Sequence, residues 1–522
     1  MHPKILAGER PDINPWLIAL AVVLPTFMEV VDTSIASVAL PHIAGSLSAS
    51  TDEATWVLTS YLAANAVILP ASSWFALRFG RKRFLLFCIV LFTFASFVCG
   101  AATSMGMILA ARAIQGAGGG ALQPLSQAIL LESFPPEKRG AAMAVFGLGV
   151  VVAPIIGPTL GGWLTDQYSW RWAFYINIPI GILAFFMISR FVFDPPYITN
   201  AKPGRLDAIG LGLLAVGLGF MQIILDKGQE DDWFGATWIR WGTAIMAVAL
   251  IAFLIRQLTI ARPLVNLRIL ENRNFAIGCV LIAMFGGAIY GIVTLLPLFY
   301  QTLMGYTAGS AGIAVSPRGI GAVLIMPVIG ALTARVDNRL FIATGFGLFG
   351  LMSLWFGRLT LDMGEWSMTW PIVLSGMASG MIFVPLSTTT VATLRVEQMG
   401  NASGIYNLMR NIGGSVGISL VNTMLARHSQ IRTNELVQNI SPFSTRFQAL
   451  FNSLHNLTAS TASGFSTARA YAMLQQLVAQ QAALLAYVDD FRWLALACFL
   501  CVPVVFLLHG ARARKGAVSA AH

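Results

Sequence analysis

The sequence predicts an all-α integral membrane protein with fourteen transmembrane helices. Of its 522 residues, 56% are hydrophobic and only 11% are charged, whereas soluble domains carry about 25% charged residues. The apolar residues fall into stretches close to the length of about 20 residues that crosses a bilayer as a helix. Basic residues collect in every second connection between these stretches, which is typical of the cytoplasmic loops of a multi-pass protein.

We number the predicted spans 1 to 14 along the chain. They lie near residues 15–40, 53–76, 84–102, 106–131, 140–164, 171–193, 206–226, 237–257, 275–300, 309–333, 340–358, 369–393, 401–426 and 491–510. The even-numbered connections contain the basic residues Arg78, Arg81, Lys82, Arg83, Lys138, Arg139, Arg190, Lys202, Arg205, Arg256, Arg262, Arg268, Arg273, Arg335, Arg339 and Arg395. The tail adds Arg512, Arg514 and Lys515, so we expect both termini in the cytoplasm. The polar start leads directly into span 1 without a small-residue cleavage site, so we expect no cleaved signal peptide.

The composition argues against several other classes of protein. The net charge of +10 follows from the basic loops of a membrane protein, so we expect no nucleic-acid partner. The six histidines form no zinc-binding motif, so we expect no metal site. No nucleophile and base stand together in the sequence, so we expect no enzymatic activity. We also expect no cofactor.

A long polar connection, residues 427–490, is predicted on the outer side between spans 13 and 14. Residues 446–457 and 467–488 have helical character, and the second stretch is rich in glutamine and alanine. Two interpretations are open: a helix that binds a partner, or a solvated hairpin that covers the outer face.

Short motifs recur at an offset of eight spans. A Pro-Leu-Ser motif followed by Glu-x-x-Gly occurs at residues 124–140 and again at 385–400. A small-residue motif ending in arginine occurs at residues 73–78 and again at 330–335. This offset predicts two six-helix halves related in parallel, residues 1–195 and 263–522, with two inserted helices at residues 196–262.

Span 1 carries two carboxylates, Glu29 and Asp32, three positions apart and hence on the same side of a helix. Two carboxylates close together in a low dielectric resist double ionisation, so at least one is expected to hold a proton near neutral pH. A proton-driven exchanger needs such a group. The alternative is that Asp32 only caps a backbone break or pairs with a basic residue.

Span 4 contains Arg112 in an apolar, glycine-rich run with Gln115 and Gly116. A cation in a membrane segment is costly and therefore points to function. Arg112 is the expected partner of the span 1 carboxylates. When the acid is protonated, the arginine is expected to turn to Gln115 or to backbone carbonyls, and we predict that this exchange is the coupling switch.

Span 5 carries small residues every four positions, which form one smooth stripe for close helix packing. Proline at two positions of the same helix removes backbone hydrogen bonds and predicts a bend. The residues concerned are Gly149, Ala153, Gly157, Gly161 and Gly162, with Pro154 and Pro158.

Six further polar residues in the spans are candidates for lining a substrate cavity: Asn65, Gln123, Gln127, Arg318, Asn407 and Arg410. For the amides of spans 2 and 4, the alternative is a hydrogen bond between helices. For Arg410, the alternatives are attraction of an anionic substrate and a purely structural role as a donor.

In combination, these motifs resemble the major facilitator superfamily. Residues 112–116 are similar to its fourth-helix motif, and residues 157–162 to its antiporter motif in the fifth helix. Residues 32–41 resemble the first-helix signature of the fourteen-helix drug:proton antiporter branch, in which Asp32 falls on the acidic position. Residues 170–179, which start span 6 and have the character of an interfacial aromatic anchor, also resemble this branch.

The connection between spans 2 and 3, Arg78-Phe-Gly80-Arg81-Lys82, resembles the superfamily's loop motif, but Leu77 stands at its usual acidic position. We therefore do not assume the usual charge latch. We expect Arg81 to meet the carbonyls at the C-terminus of a neighbouring helix instead.

The whole chain resembles the EmrB-type exporters of this branch. The resemblance implies proton-driven export of hydrophobic or amphipathic toxicants across a bacterial inner membrane by alternating access, without a cofactor. It also implies a periplasmic adaptor of the membrane-fusion type and an outer-membrane channel. In this scheme Asp32 carries the proton with help from Glu29, Arg112 couples it to movement, and the span 5 stripe packs between rocking helices.

Substrate is expected in a central cavity lined by spans 1, 2, 4 and 5 and their repeats. Two alternatives remain open. One is a proton-coupled symporter or an exporter of a specific metabolite on the same fold. The other is a receptor or membrane enzyme that transports nothing.

Overall fold

The computed structural model describes residues 14–199, 204, 206–261, 263–438, 440–441, 443–459 and 466–509. Within these ranges the regular secondary structure is helical and no β-strand occurs. The predicted all-α class is therefore confirmed. Lys202, Arg205 and Arg262, together with the basic residues of the tail, lie outside the described residues.

Fourteen helical segments occur at the predicted positions of the spans. Eleven are single helices: Pro15–Ser46 (span 1), Thr51–Phe79 (span 2), Arg81–Gly100 (span 3), Arg139–Gln167 (span 5), Ala208–Lys227 (span 7), Thr237–Thr259 (span 8), Arg273–Thr302 (span 9), Asn338–Phe356 (span 11), Glu365–Val391 (span 12), Met399–Gln438 (span 13) and Ser466–Val505 (span 14). Spans 4, 6 and 10 are helix pairs: Met105–Gly119 with Leu122–Ser133, Trp172–Tyr175 with Asn177–Phe191, and Ala308–Val315 with Pro317–Leu332. Shorter elements outside the spans are Pro196–Thr199, Thr445–Ala459 and the 3-10 turns Pro136–Lys138, Trp233–Gly235, Leu267–Glu271 and Val396–Gln398.

Most of these helices can cross a bilayer. Among the described residues, ten are long and apolar enough, and span 5 is an eleventh if the two parts of its bent helix count together. Spans 4, 13 and 14 do not meet the criterion. Span 4 is interrupted after Gly119, and spans 13 and 14 belong to 40-residue helices whose outer parts are polar. The multi-pass architecture is confirmed, and the fourteen segments are consistent with the predicted count.

The interruption of span 4 follows from its glycines. A Cβ added at Gly116 would lie 2.2 Å from the carbonyl oxygen of Tyr61, and one added at Gly120 would lie 2.5 Å from that of Asn65. Only glycine lets span 2 approach this closely, and glycine also weakens a helix. Close packing and the helix break therefore have the same cause.

The two halves pack in the same pattern. Span 1 packs against span 5, span 2 against span 4, and span 3 against spans 4 and 6. Eight spans later, span 9 packs against span 13, span 10 against span 12, and span 11 against spans 12 and 14. The motif repeat therefore corresponds to a repeat in packing. The boundaries at residues 195 and 262 stay a prediction.

Spans 2, 4 and 5 of the first half meet the second half: span 5 packs on spans 10 and 12, and spans 2 and 4 pack on span 13. The inserted span 7 touches both halves. Its Asp226 accepts a hydrogen bond from Thr59 of span 2, and its Gln222 accepts one from Ser415 of span 13 at 2.9 Å. Span 7 thus bridges the interface between the halves.

The helices of spans 13 and 14 continue past the predicted spans into the connection that the sequence predicts on the outer side. We call the described part of residues 427–490 the outer extension. A helix of 40 residues is about 60 Å long, twice the hydrocarbon thickness of about 30 Å. The helix Thr445–Ala459 packs against the outer part of span 14. The two predicted helical stretches are present, and the second continues without interruption into span 14, across the predicted boundary at residue 490.

Candidate functional site

The carboxylate of Asp32 lies fully buried in the first half, bound by side chains from three other positions. Its Oδ2 is 2.5 Å from Nη1 of Arg112. Its Oδ1 accepts hydrogen bonds from Nε2 of Gln115 at 2.8 Å and from Nδ2 of Asn177 at 2.6 Å. Spans 1, 4 and 6 therefore meet at one ion pair, which is compensated by neutral donors as a buried charge requires.

Arg112 has a second set of contacts besides Asp32. Its Nε donates to the carbonyl of Val57 at 3.0 Å, and its Nη1 donates to Oε1 of Gln115 at 2.7 Å. The guanidinium carbon lies 4.2 Å from the ring centre of Tyr61, close enough for a cation–π contact. The structure thus presents the predicted carboxylate, amide and carbonyl partners of the arginine simultaneously.

Glu29 lies in a different environment. Its Oε1 accepts a hydrogen bond from Nδ2 of Asn65 at 2.9 Å, and Oε2 has no hydrogen-bond partner among the described residues. It lies near Gln123 and within electrostatic range of Arg410 in the second half. The expectation that Arg112 serves both carboxylates is wrong, since it forms an ion pair with Asp32 alone among the described residues. Three helical positions differ in direction by about 60°, enough to direct one side chain into the first half and the other toward the interface.

The candidate amides of span 4 bind residues of the second half. Gln127 accepts a hydrogen bond from Nδ2 of Asn407 at 2.6 Å, and Gln123 accepts one from Arg410. In this conformation they are contacts between the halves. Their role toward substrate stays a prediction.

A cavity of about 20 Å³ lies at the centre of the molecule between the halves. That volume is enough for roughly one water molecule. Its walls are mainly apolar and come from spans 5, 9, 10, 12 and 13, lined by Val150, Val151, Pro154, Phe285, Ile289, Tyr290, Val293, Arg318, Phe383 and Arg410. The four repeat spans thus contribute as expected, but spans 1, 2 and 4 do not line it, because their polar side chains bind one another or span 13. Asn65, Gln123, Gln127 and Asn407 lie outside its wall.

The small-residue stripe of span 5 packs on span 1, within the same half. A Cβ added at Gly157 would lie 2.4 Å from the Cβ of Ser34, and one at Gly161 would lie 3.0 Å from Ile35. Gly149 faces Val23 in the same way. The stripe is therefore an internal contact of the first half.

Further out, span 5 also reaches the second half. A Cβ at Gly162 would lie 3.8 Å from the Cα of Gly309 in span 10. Span 5 thus lies between span 1 and span 10, and it belongs to both contacts.

The bend of span 5 is present, with 43° between its two parts. Because Pro158 has no N–H, the carbonyl of Pro154 lacks its usual helical donor. The hydroxyl of Ser34 donates to that carbonyl at 3.1 Å instead. Ser34 of span 1 thus packs against the small-residue stripe and also supplies the hydrogen bond that Pro158 cannot.

The loop motif after span 2 does form an ion pair, contrary to our expectation. Arg81 binds the carboxylate of Glu132 with two hydrogen bonds of 2.9 and 3.1 Å, and it also donates to the hydroxyl of Tyr197. The backbone N–H of Lys82 donates to Asp194 at 2.8 Å. The expectation that Arg81 binds helix-terminal carbonyls is wrong, because acidic residues from the ends of spans 4 and 6 replace the one missing at Leu77.

Gly80 and Arg78 complete this motif. Gly80 has φ +87°, and a Cβ there would lie 2.8 Å from Oδ2 of Asp194. The turn therefore requires glycine both for its left-handed backbone and for space. Arg78 is exposed.

Sequence reasoning missed Asn177 and Ser96 as parts of the Asp32 site. The hydroxyl of Ser96 accepts from Gln115 at 2.6 Å and from Asn177 at 3.2 Å. Asn177 belongs to the segment that we interpreted as an aromatic anchor, and an amide inside that apolar run was the available signal. Among the described residues, no group of histidine, cysteine or acidic side chains has the arrangement of a metal site.

Comparison with known proteins agrees with this architecture. Residues 22–418 match the model of the Major Facilitator Superfamily. The chain is 36% identical to the multidrug export protein EmrB of Escherichia coli K12 over 487 residues, 93% of each chain. It is 34% identical to the fatty acid resistance protein FarB of Neisseria gonorrhoeae, over 94% of this chain and 95% of that protein.

The fold also matches that of a solved transporter. The human organic anion transporter TETRAN superposes with a TM-score of 0.59 at 13% identity, over 96% of this chain and all of that one. At this identity the likeness concerns the fold alone. Together with the sequence matches it is consistent with one assignment: the chain belongs to the major facilitator superfamily, in its EmrB-type group of multidrug exporters.

Proposed function

We propose that the protein is a proton-coupled antiporter that exports hydrophobic and amphipathic compounds from the cytoplasm or the inner leaflet by alternating access. The observation that carries the proposal is the buried Asp32–Arg112 ion pair, 2.5 Å long. Charged residues inside a membrane are costly, so an ion pair there is a sign of function. This ion pair lies where three spans of one half meet. A proton that binds Asp32 neutralises its carboxylate, and Arg112 then loses its counter-charge.

The coupling step follows from the partners of Arg112. When Asp32 is ionised, the arginine holds spans 1 and 4 together. When Asp32 is protonated, Arg112 retains the carbonyl of Val57 and the amide of Gln115, so the attraction between spans 1 and 4 weakens while the guanidinium stays solvated by neutral acceptors. Proton binding therefore favours one packing of the first half over another, which is what exchange requires.

Reconstitution in liposomes tests this proposal directly. The purified chain would be inserted with a trapped pH dye, and proton flux driven by an ethidium gradient would be recorded for wild type, Asp32→Asn, Glu29→Gln and, as a control, the exposed Glu137→Gln. Loss of at least about tenfold in Asp32→Asn alone is expected, since one buried charge pair is worth more than 1.4 kcal/mol.

Each other result has a definite meaning. Loss in Glu29→Gln alone moves the proton site to that carboxylate. Full coupled flux in both variants contradicts the switch on span 1. A flux in which proton and ethidium move in the same direction favours the symporter alternative.

We also propose that the protein is the inner-membrane part of a three-component pump, with a periplasmic adaptor that docks on the outer extension and an outer-membrane channel. The support is the length of the helices of spans 13 and 14, which project about 30 Å beyond the bilayer. Replacing residues 439–465 by a short Gly/Ser linker should leave transport in vesicles intact and abolish drug resistance in cells. Equal loss in both assays would contradict docking at this place.

A further inference from the structure

The central cavity contains two buried cations without a carboxylate partner. Arg318 of span 10 and Arg410 of span 13 both line it, and their relative exposures are 3% and 2%. A guanidinium inside a membrane protein is costly, and it is normally paired. The question is what balances these two charges.

The other buried arginines of the described spans are paired. Arg81 has the carboxylate of Glu132 at 2.9 Å, and Arg112 has that of Asp32 at 2.5 Å. No acidic side chain of the described residues lies within ion-pair distance of either cavity arginine. Among the described residues, Arg81 and Arg112 thus have a carboxylate at ion-pair distance, whereas Arg318 and Arg410 have none.

The two cavity arginines bind only neutral acceptors. Arg318 donates from Nη2 to the hydroxyl of Ser379 at 3.2 Å. Arg410 donates from Nη2 to the amide oxygens of Gln123 and, at 3.4 Å, Asn411. Nε and Nη1 of Arg410 are buried without a hydrogen-bond partner among the described residues. Unused donors on a buried cation are expensive, so this site is built to receive an acceptor.

We propose that Arg318 and Arg410 form an anion subsite in the central cavity that takes the carboxylate or sulfonate head of an amphipathic ligand. The inference deepens the proposed export function and rests on it for its physiological meaning. The remaining walls are apolar or aromatic, including Phe285, Tyr290 and Phe383. Such walls suit the hydrophobic body of the same ligand.

The subsite also depends on the contact between the halves. The present volume of about 20 Å³ holds roughly one water molecule, which is less than the head of such a ligand, so the halves must separate to admit it. Gln123 of the first half occupies a donor of Arg410 in this conformation. An anion that accepts a hydrogen bond from this donor would replace the Gln123–Arg410 hydrogen bond between the halves by one between Arg410 and the ligand.

Glu29 of span 1 is a titratable group within electrostatic range of Arg410. Its ionised form competes with a ligand anion for the positive potential, and its neutral form does not. Binding of the anion is therefore expected to weaken when Glu29 is ionised.

The test uses the full chain in nanodiscs of zwitterionic phosphatidylcholine and three fluorescent probes with the same apolar body. These are dansyl-undecanoate, its neutral methyl ester and the cationic dansyl-undecyl-trimethylammonium. Wild type should bind the carboxylate at least about tenfold more tightly than the ester, as expected for charge-assisted hydrogen bonds. Arg318→Gln and Arg410→Gln should each reduce this preference, and the double variant should abolish it while it still binds the ester.

Two control variants show whether a loss of preference comes from the charge at the site. They exclude the effect of charge elsewhere on the protein and the effect of misfolding. Arg240→Gln removes one positive charge at an exposed position of span 8 and should change nothing. Arg410→Lys, which keeps the charge, should retain part of the preference for the carboxylate. Equal affinity of wild type for carboxylate and ester, or a preference that survives in the double variant, would overturn the subsite.

A lipid head group is a second source of the same chemistry. If anionic phosphatidylglycerol in the nanodiscs competes with the carboxylate probe in wild type and not in the double variant, the subsite belongs to lipid and the ligand proposal fails. Proton-driven export of ethidium reports separately on the proposed function. Intact ethidium export without a carboxylate preference rejects only the subsite, and absence of proton-driven export rejects the function whatever the probes bind.

Discussion

Glu29 and Asp32 are neighbours on span 1, yet a proton on each one has a different consequence. Asp32 binds only residues of the first half, Arg112 among them. Glu29 binds Asn65 and acts electrostatically on Arg410 of the second half. On the proposed mechanism, protonation of Asp32 would alter the packing within the first half, whereas protonation of Glu29 would alter the attraction between the halves.

At the same scale, Gly157 allows spans 1 and 5 to touch. A methyl group there would overlap Ser34, whose hydroxyl also satisfies the free carbonyl of Pro154. We expect Gly157→Ala to reduce ethidium transport severalfold and to lower the melting temperature, because overpacking typically costs about 1–3 kcal/mol. Gly219→Ala in span 7, where a Cβ meets nothing within 4 Å, is the matched control. If both variants behave alike, close packing at the stripe does not limit transport.

At the scale of elements, the outer extension is joined by charged contacts between the helices of spans 13 and 14. Arg432 pairs with Asp489 at 2.6 Å, and Nδ1 of His428 lies 3.0 Å from Oδ1 of Asp490. Asp490 lies just before the predicted start of span 14. Burial and the charge of Asp489 raise the pKa of Asp490 to about 8.

This raised pKa predicts a pH dependence of stability. Between about pH 4 and pH 8 the folded chain holds a proton on Asp490 that the unfolded chain has released, so the stability contributed by this group falls as the pH rises through that window. Asp490→Asn should therefore raise the melting temperature at pH 8 by a few degrees and change little at about pH 4. His428→Gln, measured in parallel, removes the imidazole that contacts Asp490. A variant that is less stable than wild type at pH 8 would contradict the assignment.

At the scale of the whole molecule, the proposed alternating access requires the halves to separate at the end where spans 2 and 13 meet. There Ser73 of span 2 faces Gly400 at the start of span 13, and a Cβ at Gly400 would lie 4.0 Å from that of Ser73, a distance suited to a disulfide. We expect Ser73→Cys/Gly400→Cys to crosslink on oxidation, to stop transport in liposomes and to recover it on reduction. The single variants should be unaffected by oxidant, since the five natural cysteines are buried. Transport by the fully crosslinked protein would rule out separation at this end.

Hydropathy and motif spacing were sufficient for the fold class, the repeat and the family, because these depend on patterns along the chain. The contacts of the site were harder to predict. Asn177 and Asp32 are 145 residues apart, and Asp194 and Lys82 are 112 apart. Such partners are set by the packing of helices that are distant in sequence. The unbroken helix of span 14 was missed for another reason: a change from polar to apolar residues marks where a membrane begins, and a helix continues through it unchanged.

The continuous helices of spans 13 and 14 have a mechanical consequence. They connect the outer extension to the second half without a hinge at the membrane surface. A rigid arm of about 30 Å moves at its tip by roughly 0.5 Å for each degree that its base tilts. Every turnover that tilts the second half would therefore swing the tip sideways by several ångströms. In the proposed pump, a protein attached to this tip would be displaced once in each transport cycle, in step with the tilt of the second half.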